Sequence, residues 1–111
     1  MDLQEAKDNP CVPKLFEYLG ILIYFWSNEH EPIHVHGVYQ GMENIIEIHV
    51  KNGSVTVIKI RNIPGKKPLP KVQLKEFEGL VKNRADDIVK KWIDYFVWHK
   101  KISTERITSK Q

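Results

Sequence analysis

A chain of 111 residues is long enough for one compact domain with its own core and too short for two. Hydrophobic residues at 41% and charged residues at 28% exclude a disordered chain, and no apolar run approaches the roughly 20 residues that span a bilayer. Seventeen Lys and Arg against 14 Asp and Glu leave a net charge of +3, a surplus too small to name a partner.

Residues 1–13 are polar, carry Pro10 and Pro13 and show no sustained period, which predicts a flexible N-terminal arm ahead of a single domain over residues 14–101. The opening Met1-Asp2-Leu3-Gln4-Glu5 is acidic where a secretory leader is cationic and then apolar. Cys11 is the one cysteine, so no intramolecular disulfide forms, and the expected location is the reducing cytoplasm.

Residues 19–26 form a β-branched and aromatic run ended by Ser27-Asn28, which predicts a central strand buried on both faces. Residues 34–39 predict a second strand, residues 40–43 a turn, residues 44–50 a third strand and residues 54–60 a fourth. Between the last two lies Asn52-Gly53. Both central residues of a type I′ turn need positive φ, so this dipeptide is a strong hairpin signal. Pro64, Gly65, Pro68 and Pro70 end the sheet, because proline lacks the donor that a ladder uses.

From Lys71 onward the period changes. Leu74, Phe77, Val81, Ala85, Ile88, Trp92 and Phe96 recur at steps of three and four and lay one apolar stripe along a helix. An unbroken helix over residues 71–99 would run ~43 Å, longer than a domain of this size is wide. A bend or break is therefore expected at Asn83-Arg84-Ala85-Asp86-Asp87, where Asn suits a helix end and Asp a helix start. Residues 102–111 are polar and predict a flexible tail. The expected fold is α+β: a four-stranded, mainly antiparallel sheet, then a C-terminal helical segment, one bent helix or two, packed on its apolar face.

The concentrated chemistry lies in Glu29-His30-Glu31-Pro32-Ile33-His34-Val35-His36, which holds three of the five histidines. Imidazoles two apart share one face of a strand, the spacing a chelating pair needs. With residues 40–43 as the loop, Tyr39 faces Asn44, His36 faces Glu47 and His34 faces His49; the Asn52-Gly53 turn then pairs His49 with Thr56 and Glu47 with Ile58. One face carries His34, His36, Glu47, His49 and Thr56, while Val35, Ile46, Ile48, Val50, Val55 and Val57 gather on the other, a partition that a one-residue slip would destroy.

His34, His36, Glu47 and His49 suit Zn²⁺ or another divalent transition ion at distances near ~2.0–2.2 Å. Glu29 and His30, in the entering loop with Glu31, are the candidate catalytic groups, positioned either to complete a metal's coordination shell or to serve as a general base. A plainer alternative stands beside this: a histidine on a half-buried sheet face also serves by hydrogen bonding to its cross-strand neighbour. A second candidate surface is basic. Lys66, Lys67 and Lys71, with Arg61 and Lys75, border the proline loop where a nucleic-acid backbone would be gripped. Trp92 belongs to the helical stripe and to the core, whereas Trp98 lies off it and suits a partner surface.

The order of these features resembles the small bacterial proteins grouped as domain of unknown function 4160. The shared features are a Gly-Ile-Leu-Ile strand, the histidine segment, Leu69-Pro70 leading into a helix, and a late Trp92, together covering about residues 16–98. The family motif reads Asp-His, a spacer, then Pro-Pro-His-Phe-His; His30, Pro32, His34 and His36 match it, while Glu29, Ile33 and Val35 depart. The resemblance implies no established activity. It does imply a small protein partner encoded alongside, in an arrangement like that of toxin–antitoxin pairs.

Two functional readings follow. The first is a metal-dependent or general acid/base hydrolytic protein, nuclease-like, using the histidine face. The second is a non-enzymatic interaction module that binds protein or nucleic acid, with no membrane involved.

Overall fold

The computed structural model describes residues 13–25 and 32–111. Six strands form one sheet: β1 (Lys14–Tyr18), β2 (Ile21–Phe25), β3 (Ile33–Tyr39), β4 (Met42–Lys51), β5 (Ser54–Asn62) and β6 (Glu105–Ile107), in the order β5-β4-β3-β2-β1-β6. Two helices, α1 (Lys71–Asn83) and α2 (Ala85–Phe96), lie between β5 and β6 in the chain. The fold is α+β as expected, but the sheet is mixed and has six strands, not four. β1 was hidden in a stretch whose alternation is short. β6 comes from the polar segment expected to be a tail and pairs parallel with β1, Phe16 opposite Glu105 and Tyr18 opposite Ile107. The exposed Glu105 and Arg106 conceal its single buried anchor, Ile107.

Two-residue turns join β1 to β2, β3 to β4 and β4 to β5. Leu19-Gly20, Gln40-Gly41 and Asn52-Gly53 all have positive φ at both positions, the requirement of a turn whose twist matches the strands it joins. The β3–β4 loop is therefore Gln40-Gly41 alone, and Tyr39 pairs with Met42 instead of Asn44. Every β3–β4 pair shifts by two residues from the expected register, so His34 faces Glu47 and His36 faces Ile45. A shift of two preserves which side chains share a face.

The β4–β5 hairpin begins in the expected register, with Val50 opposite Val55, and then bulges between His49 and Val50. Beyond the bulge His49 faces Val57 and Glu47 faces Lys59, not Thr56 and Ile58. The extra residue moves Val57 to the histidine face, where it is 50% exposed, and brings Lys59 and Arg61 onto that face.

The helices cover the other face. Phe77, Leu80, Val81, Ala85 and Ile88 are buried against Ile23, Phe25, Val35, Ile46 and Ile48, and Leu74, Trp92 and Phe96 complete the stripe at partial burial. Gly37 of β3 leaves room for this packing, since a Cβ there would stand 2.8 Å from the Phe77 ring. β2 is thus buried on its helix side and half-buried on the other, not buried on both. The helix break falls at Arg84, in the expected segment; it is made by Arg84 at φ −112°, ψ 19° and not by a left-handed Asn83. Asp86 and Asp87 then open α2 with charge that suits its N-terminus. Among the described residues no helix is long and apolar enough to cross a membrane.

Candidate functional site

The face of the sheet opposite α1 and α2 carries two carboxylates that are largely shielded from solvent, Glu43 and Glu47 of β4, at 8% and 6% exposure. Each organises a cluster. Alternation puts Leu22 and Tyr24 of β2, His34 and His36 of β3, Glu43, Glu47 and His49 of β4, and Lys59 and Arg61 of β5 on this one face.

Around Glu43, Oε2 lies 2.6 Å from His36 Nδ1 and accepts the Tyr24 hydroxyl at 3.0 Å. The Tyr24 and His36 rings stack with centroids 5.2 Å apart, as directly opposed residues of β2 and β3. Lys66 Nζ stands 3.6 Å from Oε1. Around Glu47, Arg61 Nη1 donates to Oε2 at 2.7 Å, His34 Nε2 lies 3.6 Å from the same oxygen, and His49 Nε2 lies 3.2 Å from Oε1.

The proline loop is tied to β4 through one buried side chain on the opposite, helix-covered face. Asn44 Nδ2 donates to the Arg61 carbonyl at 3.0 Å and to Asn62 Oδ1 at 2.8 Å, and its Oδ1 accepts the Leu69 amide at 2.7 Å. The Glu43 amide donates to the Lys67 carbonyl at 2.9 Å. Loop and strand are thereby tied at the point where Lys66 approaches Glu43.

Protonation follows from burial and from these partners. Burial holds the His36 imidazole below its ordinary value of 6.5, outweighing the opposing hydrogen bond and charge of Glu43; His34 pushes the same way as burial. A neutral ring donating Nδ1–H to the carboxylate fits both the shift and the distance. Burial, reinforced by the Glu43 charge and hydrogen bond, raises the Tyr24 phenol well above its ordinary value. For Glu47 burial acts to raise the pKa, but hydrogen bonds from Arg61 and His49 and the charges of Arg61 and His34 outweigh it and hold the carboxyl below 4.5.

The structure brings together three of the four expected metal ligands, His34, Glu47 and His49, and separates His36, which pairs with Glu43 instead. Among the described residues no group of three or more His, Cys, Asp or Glu side chains is arranged to hold a metal ion. The cationic Arg61 bonds the Glu47 oxygen nearest His34, which opposes a second cation there. Glu29 and His30, the expected catalytic pair, lie outside the described residues, as do residues 1–12 of the N-terminal arm.

Lys66, Lys67 and Lys71 are exposed around the proline loop. Glu43 was missed because it was assigned to the turn; recognising Gly41 as the second residue of a two-residue turn reveals it. Tyr24 was missed because an apolar run conceals which of its members faces the polar side. An open depression lined by Lys14, Glu17, Leu22, Arg106 and Thr108 lies over β1, β2 and β6, away from both carboxylates.

No curated protein and no solved structure matches the chain. The model of one family, described as a domain of unknown function (DUF4160), matches residues 20–93. That span runs from the β1–β2 turn into α2 and contains every residue of the two carboxylate clusters. The chain belongs to the DUF4160 family.

Proposed function

We propose that the histidine face is a general acid/base site that cleaves a phosphodiester. His34 and His49 are the proton-transferring pair, Glu47 orients both, and Arg61 binds the anionic substrate. The reading is carried by one shielded carboxylate with an imidazole Nε2 near each oxygen, His49 at 3.2 Å and His34 at 3.6 Å. A carboxylate that accepts a ring N–H leaves the other ring nitrogen, Nδ1, to exchange the proton; Glu47 does so for His49, while His34 Nε2 stands at ion-pair distance from it.

In the reaction one Nδ1 takes the proton of the attacking hydroxyl as its oxygen bonds to phosphorus. The bond from phosphorus to the leaving oxygen breaks, and the other ring, protonated, delivers its Nδ1 proton to that oxygen. Arg61 is 56% exposed at its side chain, so a part of the guanidinium remains to offset charge on the non-bridging oxygens. His36, held neutral on Glu43, is a positioning residue for the strand that carries His34.

The test is cleavage of a labelled RNA oligonucleotide and of bis(4-nitrophenyl) phosphate in the presence of a chelator. His34→Ala and His49→Ala are each expected to lower kcat about 10²- to 10⁴-fold. Turnover unchanged in the double variant overturns the proposal. Turnover that appears only on addition of Zn²⁺ transfers His34, Glu47 and His49 to the role of ligands.

A further inference from the structure

Residues 51–75 hold seven of the 17 Lys and Arg and none of the 14 Asp and Glu. The fold places this acid-free run on the edge strand β5, the proline loop and the start of α1. Arg61 and Lys66 are engaged by Glu47 and Glu43. Lys51, Lys59, Lys67, Lys71 and Lys75 are exposed, and no ion pair is formed by them among the described residues. The first turn of α1 contains Lys71 and no acidic residue, so like charge sits on the positive end of its dipole.

The same strip has an open backbone. Among the described residues β5 pairs only with β4, and its nine residues present a row of unpaired N–H and C=O groups roughly 30 Å long. Beside that edge, Val57 is 50% exposed on one face and Val55, Ile58 and Ile60 are half-buried on the other.

We propose that the β5 edge binds an extended acidic segment of a partner protein, which adds to the sheet as a further strand and sets its carboxylates against the lysines of the β5–loop–α1 strip. Main-chain pairing supplies affinity in this mode and alternate side chains supply selectivity. A nucleic-acid backbone matches the lysines but has no ladder to offer the edge. A second copy of this chain matches the ladder but opposes two acid-free strips, which repel. Lys59 and Arg61 alone guard the edge against self-pairing; the continuation of the run through the loop onto α1 is what that explanation leaves over. The proposal does not rest on the acid/base reading, since it uses the outer backbone of β5 and not the histidine rings.

The experiment titrates the full chain into a fluorescein-labelled peptide of alternating Glu and Val, with three comparisons: alternating Lys and Val, the Glu/Val peptide N-methylated at every second residue, and a labelled RNA. Anisotropy reports binding, and amide hydrogen exchange reports where it occurs. The expected result is binding of the Glu/Val peptide alone, slowed exchange in β5, and roughly tenfold weaker binding by Lys59→Glu combined with Lys67→Glu. Should that variant fail to fold, Lys59→Gln with Lys67→Gln makes the same comparison with a smaller loss. Unchanged β5 exchange, or equal binding of the N-methylated peptide, overturns the added strand. Binding of the RNA in place of the peptide assigns the lysines to nucleic acid.

Discussion

The side chain of Asn44 bonds to three groups in the chain that follows β4, Arg61, Asn62 and Leu69, and is itself fully buried. Such an amide cannot be exchanged for an apolar residue without orphaning its partners, of which the Leu69 amide is one. Leaving buried donors and acceptors unpaired costs ~1–3 kcal/mol each, so Asn44→Ala is expected to lower stability by about 3 kcal/mol. Denaturant unfolding measures the loss, and faster exchange of the Leu69 amide shows that the loop has detached. Unaltered exchange there would mean that Leu69 is held by other contacts. Asn44 was legible only as the start of a strand: one polar residue beside an apolar run does not reveal partners 17 to 25 positions away.

Three elements of the sheet turn on Xaa-Gly, yet only Asn52-Gly53 reads as a hairpin from sequence. Asn tolerates positive φ through its short polar side chain, whereas Leu19 at 50° and Gln40 at 48° adopt it at a cost. The turns at those positions are imposed by the strands on either side. Gln40 is exposed, so Gln40→Asn should remove strain without removing core packing. It is expected to add about 0.5–1 kcal/mol, seen as a rise in Tm. A lower Tm would show that the turn is not of this type. The bulge at His49 and Val50 had no sequence signature, because the alternation of Val55, Thr56, Val57 and Ile58 is ambiguous between two registers and packing chooses one.

At the scale of the molecule the two carboxylate clusters make stability depend on pH in a definite sense. The folded protein holds His36 below 6.5 and Glu47 below 4.5, so between each folded value and the ordinary one the unfolded chain binds more protons. Both contributions are therefore complete at higher pH and are lost as pH falls, that of His36 beginning below about 6.5 and that of Glu47 below about 4.5. Tyr24 is shifted upward and acts at the opposite end, its contribution being lost as pH rises past 10. Unfolding free energy measured across pH should fall in two steps on the acid side, and His36→Gln should remove the first alone. A first step that survives this substitution would assign it to another group.

Local patterns carried much of this protein. The change from strand period to helix period at Lys71, the hairpin at Asn52-Gly53, the break near Arg84 and the sharing of one face by His34, His36, Glu47 and His49 follow from spacing, because each is a property of neighbours along the chain. Spacing of even parity survives a register shift of two, which is why the face was readable while the pairs on it were not. What required the folded structure is the contact between distant segments: the exchange of His36 from Glu47 to Glu43, Arg61 on the Glu47 carboxylate, Asn44 on the proline loop, and β6 against β1. These depend on which register and which strand order bury the most apolar surface against α1 and α2, a sum over the whole core that no window of the chain contains.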